Sequence, residues 1–545
     1  MVKLFSVTEM KALEKEANQS GLTYEVMMEN AGRGIAQEVD LAYSHVSNRK
    51  VFALVGSGNN GGDALVALSY LARNKWETCA YIVRPREIDD PLVSRLKNDH
   101  GQIITLEADP KYKQLTKLLE SYSILIDGVL GTGIKLPLKG EIAKLLSYVK
   151  KHQETIQEKI HVVAVDCPSG VDCDTGEAAE EVVPAEMTVT MAGAKLGLIR
   201  FPAARLTGEL RFASIGKIDK YRAYKKNNKF VLTRELVNQY LPLRPIDAHK
   251  GTFGTAFIIA GSVNYTGAAL LAGLAAYRVG TGLVTMAVPA PLHEALSGQF
   301  PESTWILLPH EMGVISADAA QVVHQNISRA TALLIGPGFG LEDATKDFLA
   351  RLLTKTSIHK KPNIGFILED KGDSGEKSLA VPVVIDADGL KLLSKIDHWQ
   401  ELIPSKAILT PHPGEMAVLT GLTTEEIQAD RIAIARQFSS LWRHIIVLKG
   451  AFTIIAAPDG QVAVVPVASS ALARAGTGDV LAGLIVGLRA QGVDAFQAAC
   501  AGAWIHAYAG LLAAKRLGNT ASVIASDVLN AVPQIISDLQ SPIIN

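Results

Sequence analysis

The feature that most constrains the fold of this chain is a pattern of short apolar runs that alternate with amphipathic segments. In the N-terminal part the apolar runs lie at 51–55, 79–83, 124–127, 162–166 and 187–191. Segments between them, such as 63–74 and 141–150, have the periodicity of helices. Strands that are apolar on both faces are typical of parallel sheets covered by helices on each side. The pattern therefore predicts an α/β fold built on an open parallel sheet.

The same alternation begins again in the C-terminal part, with apolar runs at 256–260, 283–288, 332–335, 383–385, 407–409 and 445–448. The two parts are separated by 217–228, a short basic segment without apolar periodicity. A chain of 545 residues is too long for one hydrophobic core. We therefore predict two α/β domains, 1–218 and 230–545, joined by a linker at 219–229. The polar segment 369–377 is expected to be a solvated loop.

Charge and composition exclude several classes of function. Lys plus Arg number 54 against 55 for Asp plus Glu, so no basic surface is available for nucleic acid. One uncharged stretch, 257–277, has the length of a membrane span, but turn-forming residues at 261–267 interrupt it and predict a strand, a loop and a buried helix. The charged N-terminus lacks the apolar core of a signal peptide, and the four cysteines form no C-x-x-C pair. We expect a cytoplasmic protein that binds neither nucleic acid nor a membrane.

The first apolar run is followed by a glycine-rich loop with polar side chains. The run 51–55 leads into GSGNNGGD at 56–63, which fits the G-x-G-x-x-G pattern of loops that present backbone N–H groups to a phosphate. A glycine turn that only joins a strand to a helix would look the same. Asn59, Asn60 and Asp63 are unusual for a dehydrogenase loop, because a carboxylate repels pyrophosphate. They are better suited to a ribose, an amide or a cation.

Two further strand ends in the N-terminal part carry carboxylates. Asp127 ends the run 124–127, and Asp166 ends the run 162–166. The carboxyl ends of parallel strands share one edge of the sheet, and ligands bind there. Each carboxylate alone could be a buried helix cap. Three polar loops at three such ends together predict one crevice with a binding or catalytic function.

These motifs resemble the NAD(P)HX epimerase family, whose members act on hydrated nicotinamide dinucleotides. The resemblance spans residues 3–216 and rests on GLTYEVMMENAG, GNNGGD, DGVLGTG and DCPSGVDCDTG. Ala64 departs from the family, which usually has another glycine there. The resemblance implies that the hydrated cofactor is held by Asn59, Asn60, Gly61, Gly62, Asp63, Gly131, Thr132, Gly133, Ile134, Lys135, Leu136 and Pro137.

The same resemblance implies roles for the polar residues at the strand ends. Asn60, Asp127 and Ser169 would coordinate a potassium ion, for which hard oxygen ligands are suitable. Asp166 would contact the reacting nicotinamide. It is our candidate acid/base, because interconversion of the epimers at carbon 6 requires proton transfer. The residues do not distinguish ring opening from reversible loss of water.

The most specific signal in the chain is AGTGDVLAG at 475–483. Glycines at the start of a helix expose backbone N–H groups, and the helix dipole favours a transferring phosphoryl group. Asp479 follows the second glycine and can take a proton from an attacking hydroxyl. A glycine-rich cap before an apolar helix is the structural alternative. The sequence has no G-x-x-x-x-G-K-[ST] motif, so the chain is not a P-loop enzyme.

Four other polar loops follow predicted strands of the C-terminal part. They are GPGFG at 336–340, DAD at 386–388, TPHPGE at 410–415 and KGAFT at 449–453. Glycines in such loops allow close approach of the backbone to a ligand. His412 lies between two prolines at a strand end, a position that favours a functional role over a structural one.

Together with HKGTFGTAFIIAGS at 249–262, these loops resemble the ribokinase-like fold and, more narrowly, the ADP/ATP-dependent NAD(P)HX dehydratases. The resemblance implies nucleotide binding by Lys449, Gly450, Ala451, Phe452, Thr453 and Gly478. It implies contacts to the hydrated nicotinamide from Ala268, Gly338, His412 and Asp479, with Asp479 as the catalytic residue. Mg²⁺ is the expected cofactor, bridging the phosphates of ADP or ATP. We expect ADP as the phosphoryl donor, with AMP and phosphate as products.

The chain thus resembles an epimerase of Rossmann-like fold joined to a ribokinase-like dehydratase, which together would repair NAD(P)H hydrate. Two alternatives stay open, because GTGD also occurs in small-molecule kinases and the N-terminal part could be a non-catalytic dinucleotide-binding module. A Rossmann dehydrogenase is disfavoured by Asp63. Ala-rich segments such as 498–514 favour a homo-oligomer.

Overall fold

The computed structural model describes residues 1–156, 160–354 and 379–541 of the chain. Within this range the protein forms two compact units, Val2–Val231 and a second unit from Leu232 onward. The segment 369–377, predicted as a solvated loop, lies outside the described residues.

The N-terminal unit alternates strands and helices along most of its length. Its strands are β1 (Val2–Phe5), β2 (Lys50–Val55), β3 (Glu77–Ile82), β4 (Gln102–Thr105), β5 (Ile124–Gly128), β6 (His161–Val165), β7 (Met187–Met191), β8 (Gly193–Lys195), β9 (Glu209–Ala213) and β10 (Lys229–Val231). Its α-helices are α1 (Val7–Gln19), α2 (Tyr24–Ala42), α3 (Asn59–Arg73), α4 (Pro91–Asn98), α5 (Lys113–Ser121), α6 (Gly140–Thr155) and α7 (Arg222–Lys226).

Seven of these strands form a parallel sheet in the order β4-β3-β2-β5-β6-β7-β9. The chain builds one side from β2 through β3 to β4 and then returns to build the other side from β5. The strand order therefore reverses between β2 and β5. Open parallel sheets bind ligands outside the carboxyl ends of the strands at such a point. Separately, β1 pairs in parallel with β8 and antiparallel with β10.

Strand β2 shows why the central strands are uninterrupted apolar runs. Val51, Ala53 and Val55 belong to one buried cluster with residues of α1, α2 and α3. Phe52 and Leu54 belong to a second cluster with residues of α5 and α6. Successive side chains of a strand point to opposite faces, so a sheet with helices on both faces requires apolar residues at every position.

The segment 219–229, which we predicted to be a linker, contacts the N-terminal unit. Arg222–Lys226 forms a short helix, and Glu16 accepts the backbone N–H groups of Arg222 and Ala223 at 2.8 and 2.9 Å. Tyr221 is buried in the core of the N-terminal unit. The basic composition of the segment gave no indication that Tyr221 would be buried. The division between the two units falls after Val231.

The C-terminal unit repeats the alternation. Its strands are β11 (Thr255–Ile259), β12 (Leu283–Pro289), β13 (Thr304–Leu308), β14 (His310–Glu311), β15 (Val314–Ile315), β16 (Ala332–Ile335), β17 (Val383–Ile385), β18 (Ile408–Leu409), β19 (Ile445–Leu448), β20 (Ile454–Ala456) and β21 (Val462–Val464). Its α-helices are α8 (Arg234–Tyr240), α9 (Thr266–Arg278), α10 (Ala290–Ser297), α11 (Ala319–Asn326), α12 (Asp343–Leu353), α13 (Asp388–Leu393), α14 (Trp399–Leu402), α15 (Pro413–Thr420), α16 (Thr424–Ala429), α17 (Arg431–Trp442), α18 (Thr477–Ala490), α19 (Ala495–Leu517) and α20 (Ala525–Gln540).

The sheet of this unit has the order β13-β12-β11-β16-β17-β18-β19-β20-β21. The seven strands from β13 to β19 in this order pair in parallel, and β20 and β21 continue the sheet in antiparallel pairs. Strands β14 and β15 form a separate antiparallel pair. The order reverses between β11 and β16. Every apolar run named above overlaps a strand, so the predicted α/β class with parallel sheets is confirmed.

Two predictions about apolar segments have different outcomes. The stretch 257–277 contains the end of β11, a loop and α9, as predicted, and no helix within the described ranges is long and apolar enough to cross a membrane. The Ala-rich segment 498–514, however, belongs to α19, and alanines such as Ala498, Ala501 and Ala509 are buried within the unit. These alanines are covered by their own chain, and the homo-oligomeric state stays a prediction.

Candidate functional site

A cavity of about 700 Å³ opens at the carboxyl ends of the N-terminal sheet. Its wall includes the loops after β2, β5 and β6, together with residues of α1 and α2. The two central loops come from β2 and β5, the strands between which the order reverses. The three polar loops that we predicted to share a crevice therefore do so.

The start of α3 holds these loops together. Helix α3 begins at Asn59, so Asn59 to Asp63 form its first turn and do not extend the preceding loop as we predicted. Asn60 Nδ2 donates hydrogen bonds to Val165 O at 2.6 Å and to Leu130 O at 3.2 Å. A Cβ atom on Gly61 would lie 2.1 Å from Gly56 O. These contacts fix the helix start in the crevice. They make Asn60 and Gly61 helical although asparagine and glycine have low helix propensity.

Asp127 and Ser169 form a buried pair behind this turn. Ser169 donates its hydroxyl to Asp127 Oδ1 at 2.6 Å and its backbone N–H to Asp127 Oδ2 at 2.8 Å. Burial raises the pKa of Asp127, and the hydrogen bonds from Ser169 oppose that rise. Leu130, whose carbonyl accepts from Asn60, also donates its N–H to Ser169 Oγ at 2.8 Å. The structure thus brings together the three residues predicted to hold potassium.

Asp166 lies on the cavity wall in a left-handed conformation, with φ of 65°. Its Oδ1 accepts hydrogen bonds from Thr190 Oγ1 at 3.0 Å and from the N–H of Met191 at 3.1 Å. The ammonium of Lys195 is in direct contact with the same oxygen. Lys195 is only 1% exposed, so this ion pair is almost completely removed from water.

Two further carboxyl groups face the same space. Burial and the negative charges of Asp166 and Glu14 raise the pKa of Asp63 well above its ordinary value. Burial also raises the pKa of Glu14, and the charges of Lys195 and Lys11 oppose that rise. The site thus combines an Asp166 carboxylate paired with Lys195 and two carboxyl groups of raised pKa, an arrangement that suits acid/base chemistry.

The cavity contains only part of the predicted substrate set. The predicted residues on its wall are Asn59, Asn60, Asp63, Gly131, Thr132, Gly133, Ile134 and Asp166. The wall does not include Gly61, Gly62, Lys135, Leu136 or Pro137. Sequence reasoning missed Glu14, Lys11 and Lys195, which also line it. Lys195 had a usable signal, since it is a single charge within a long apolar stretch.

A second cavity, of about 450 Å³, lies in the C-terminal unit at the start of α18. Gly476 caps this helix in a left-handed conformation, with φ of 88°, and Asp479 stands in its first turn. The first N–H groups of a helix have no acceptor within the helix, so they can bind an anion. The wall includes the predicted residues Gly450, Ala451, Thr453, Gly478 and Asp479.

Lys449 is held beneath this turn by buried carboxylates. Its Nζ donates to Asp386 Oδ1 at 2.7 Å and lies 3.5 Å from Glu415 Oε2. Burial disfavours the ammonium, but the charges of Asp386 and Glu415 outweigh this effect and raise the pKa of Lys449. Lys449 is therefore a fixed positive charge beside the helix start.

Asp479 has a proton affinity suited to a general base near neutral pH. Burial, followed by the negative charge of Asp386, raises the pKa of Asp479 to about 7. The positive charge of Lys449 opposes this rise. A base whose pKa lies near the working pH combines availability with strength.

His412 lines the cavity and also caps α15. Its Nδ1 accepts the backbone N–H groups of Gly414 and Glu415 at 3.0 and 3.3 Å. Burial lowers the pKa of His412, so the ring is neutral near pH 7 and carries its proton on Nε2. His412 thus combines the structural role and the predicted position at the site.

Three predicted residues of the C-terminal site do not line this cavity: Ala268, Gly338 and Phe452. Gly338 lies close to Ala268, since a Cβ on Gly338 would come within 2.8 Å of the Ala268 Cβ. Sequence reasoning missed Arg431 and His506. Arg431 donates to Leu448 O at 3.0 Å and to Lys449 O at 3.2 Å, and so fixes the backbone at the start of the predicted nucleotide loop.

Comparison with known proteins defines the class of this chain. Residues 256–534 match the family of NAD(P)H-hydrate dehydratases, and residues 24–197 match the family described as YjeF-related protein N-terminus. The chain therefore combines a NAD(P)H-hydrate dehydratase with a YjeF-related N-terminal unit.

Relatives with both units extend along the whole chain. The bifunctional NAD(P)H-hydrate repair enzyme Nnr of Moorella thermoacetica is 34% identical over 99% of this chain and 98% of that protein. The enzyme of the same name from Escherichia coli is 30% identical over 96% of this chain and 92% of that protein. The chain belongs to the family of bifunctional NAD(P)H-hydrate repair enzymes.

Among solved structures, the ADP/ATP-dependent NAD(P)H-hydrate dehydratase of Bacillus subtilis, co-crystallised with ATP/Mg²⁺, is 29% identical to this chain. The similarity covers 57% of this chain and 98% of that one, with a TM-score of 0.47.

Proposed function

We propose that the two cavities carry out the two steps of NAD(P)H-hydrate repair. The N-terminal site interconverts the R and S epimers of the hydrate, and the C-terminal site converts the S epimer to NAD(P)H by transfer of a phosphoryl group from ADP. The observation that carries this proposal is the position of Asp479, with its raised pKa, in the first turn of α18 beside the fixed charge of Lys449. This arrangement is suited to deprotonating a hydroxyl while an anion is held at the helix start.

In the N-terminal site, Asp166 is the proposed acid/base. The hydrated nicotinamide would lie against Asp166, with the rest of the dinucleotide along 59–63 and 131–137. The ion pair with Lys195 fixes the Asp166 carboxylate on the cavity wall, where it can accept a proton. Burial and the charges of Asp166 and Glu14 raise the pKa of Asp63, so Asp63 can supply the proton that returns to the substrate.

The residues Asn60, Asp127 and Ser169 suit the proposed potassium site. They offer amide, carboxylate and hydroxyl oxygens. Hydrogen bonds hold the three residues together, from Asn60 Nδ2 to Leu130 O, from Leu130 N–H to Ser169 Oγ and from Ser169 Oγ to Asp127 Oδ1. Hard cations prefer such oxygen ligands. A bound potassium ion would place a positive charge at the carboxyl ends of β5 and β6, close to an anionic substrate.

In the C-terminal site, Asp479 would take the proton of the carbon-6 hydroxyl, and the hydroxyl oxygen would attack the terminal phosphorus of ADP. AMP leaves with the electron pair of the broken P–O bond. The ring nitrogen then expels phosphate from carbon 6, and loss of a proton from carbon 5 restores the dihydropyridine ring. Phosphorylation is needed because hydroxide is a poor leaving group.

The nucleotide is proposed to bind at 449–453 and Gly478, and the hydrated nicotinamide near Ala268, Gly338 and His412. Within the described part of the chain, no three His, Cys, Asp or Glu side chains are grouped to hold a metal ion. Mg²⁺ would therefore enter with the nucleotide and be held mainly by its phosphates, as is usual for this ion. Its charge would assist phosphoryl transfer.

An assay on chemically prepared S hydrate tests the dehydratase proposal. With ADP or ATP and Mg²⁺, we expect NADH absorbance to appear at about 340 nm, a property of the cofactor itself. The variant Asp479→Asn should lose turnover by about 10²–10⁴-fold, the range for a lost general base. A stable phosphorylated product without NADH would instead indicate a small-molecule kinase. Near-normal turnover of the variant would remove Asp479 from its role.

We also propose a cytoplasmic location and a homo-oligomeric state. All four cysteines are buried free thiols, which fits a reducing compartment. Sedimentation of the purified chain tests the second point, and a monomer would contradict it.

A further inference from the structure

Asp386, which follows β17, is buried in the C-terminal site and was not among the residues predicted from the sequence to act there. It is only 1% exposed. Its Oδ1 accepts hydrogen bonds from Lys449 Nζ at 2.7 Å and from Thr410 Oγ1 at 2.6 Å. This oxygen therefore accepts two hydrogen bonds. The two donors follow the ends of other strands, β18 and β19.

The other oxygen of Asp386 has no hydrogen-bond partner although it is buried. A Cβ atom on Gly478 would lie 3.9 Å from Asp386 Oδ2 and 3.5 Å from Lys449 Nζ. Both charged groups therefore lie directly beneath the first turn of α18. An unsatisfied buried carboxylate oxygen costs free energy and is expected where the arrangement serves a function.

We propose that Asp386 is a positioning residue of the dehydratase site, which holds the Lys449 ammonium against the first turn of α18 and presents a second negative charge to Asp479. The proposal rests on the role of Asp479 as the base. Asp386 itself contacts neither hydroxyl nor phosphate in this role and acts through its two neighbours.

The charges around Asp479 show why Asp386 matters more than other acids. Asp386 and Asp388 act from the loop after β17 and the start of α13, Glu415 from α15 and Lys449 from the loop after β19. Among the charged neighbours, Asp386 has the largest effect in raising the pKa of Asp479.

Two histidines also line the cavity, His412 at the start of α15 and His506 on α19. Burial lowers the pKa of both, that of His506 to about 4, so they add no positive charge near neutral pH. The charges that shift the pKa of Asp479 are those of Asp386, Asp388, Glu415 and Lys449. Loss of Asp386 removes one negative charge and leaves the positive charge of Lys449 without its main partner.

The test is the pH dependence of kcat/KM for S hydrate in the full-length variant Asp386→Asn. We expect the acid limb to move to lower pH by about one unit, because the remaining charges make Asp479 easier to ionise. We also expect kcat to fall on the order of 10–100-fold, since the base is weaker and Lys449 is no longer fixed.

Thr410→Val is the matched control. It removes a hydrogen bond to the same Oδ1 but leaves the charge of Asp386, so its acid limb should stay at the wild-type position. If Asp386→Asn keeps both the wild-type acid limb and a kcat within about twofold of wild type, the proposal is overturned.

Asp386→Glu keeps the test decisive should Asp386→Asn fail to fold. It retains the charge and displaces the carboxylate, so the acid limb should remain while kcat falls. Wild-type kcat in this variant would contradict a positioning role. Asp479→Asn, measured in parallel, tests the base itself, so failure of the proposed function can be distinguished from failure of this inference.

Discussion

Lys195 connects the stability of the N-terminal unit with its chemistry. It contacts Asp166 and donates to Thr190 Oγ1 and Met191 O, both at 3.1 Å. A buried ammonium and a buried carboxylate each lose several kcal/mol of solvation, which their mutual attraction offsets only while both are present. The same ion pair fixes the position of the proposed acid/base.

We therefore predict that Lys195→Met destabilises the N-terminal unit by about 3–5 kcal/mol, because it leaves the Asp166 charge buried without a partner. Peptide-resolved hydrogen exchange of β2 and β5 in the full chain measures this change. The double variant Asp166→Asn/Lys195→Met is the control and should recover part of the stability, since neither charge remains. Equal losses in the single and double variants would show that the ion pair is not the cause.

Asp479 gives a prediction in which stability and activity change in opposite directions. Its pKa is raised from an ordinary value near 3.8 to about 7, so the folded protein binds this proton more tightly than the unfolded chain. Between these two values the free energy of unfolding contributed by Asp479 falls as the pH rises, and above the folded pKa the loss is complete. The ionised form that the reaction needs is therefore the less stable one.

Asp479→Asn should accordingly stabilise the C-terminal unit more at pH 8 than at pH 5, by about 2–6 °C in melting temperature. Scanning calorimetry of the variant and the wild-type chain at the two pH values measures the difference. An equal effect at both pH values would mean that Asp479 does not titrate between them.

At the scale of elements, the sequence predicted the presence of the central strands better than it predicted where helices begin. Central strands such as β2 are buried on both faces, so their apolar runs are unmistakable. The start of α3 was placed four residues too late, because Asn60 and Gly61 are poor helix formers and only contacts to Val165 and Gly56 make them helical. Short strands such as β8 depend on pairing with a strand far away in the sequence, which no local pattern contains.

The glycines at the start of α3 give a prediction at this scale. A Cβ on Gly61 would lie 2.1 Å from Gly56 O, a backbone atom that cannot move without displacing β2 from its loop. We expect Gly61→Ala to destabilise the N-terminal unit by about 3 kcal/mol or more and to abolish epimerisation.

Gly58→Ala is the matched control for this prediction. Gly58 lies three residues earlier with φ of −89°, and its Cβ would meet nothing within 4 Å. The change should alter stability by less than about 0.5 kcal/mol. Urea unfolding followed at the N-terminal unit compares the two variants, and similar losses would show that close packing at Gly61 is unimportant.

At the scale of the whole molecule, each unit places its carboxylates at the carboxyl edge of its own parallel sheet. Motifs in single loops, such as the segment around Asp479, could be predicted because their chemistry is local. The contacts of Asp166 with Lys195 and of Lys449 with Asp386 join loops that are distant in sequence, so they required the structure. Each unit holds a complete set of such contacts, which implies that each activity can be lost separately.

Racemic hydrate tests this separation directly. The wild-type chain should convert both epimers to NAD(P)H with ADP present. Asp166→Asn should convert the S fraction at the normal rate and the R fraction only as fast as it epimerises without catalysis, which gives a trace with two phases. Asp479→Asn should produce almost no NAD(P)H but should still equilibrate the epimers, as chiral separation would show.

A mixture of these two variants should restore complete conversion, because each supplies the site that the other lacks and the S epimer can diffuse between them. If Asp166→Asn converts both epimers in a single fast phase, the N-terminal site is not the epimerase. If the mixture stops at the S fraction, one variant has lost the activity assigned to its intact site, and that assignment is wrong.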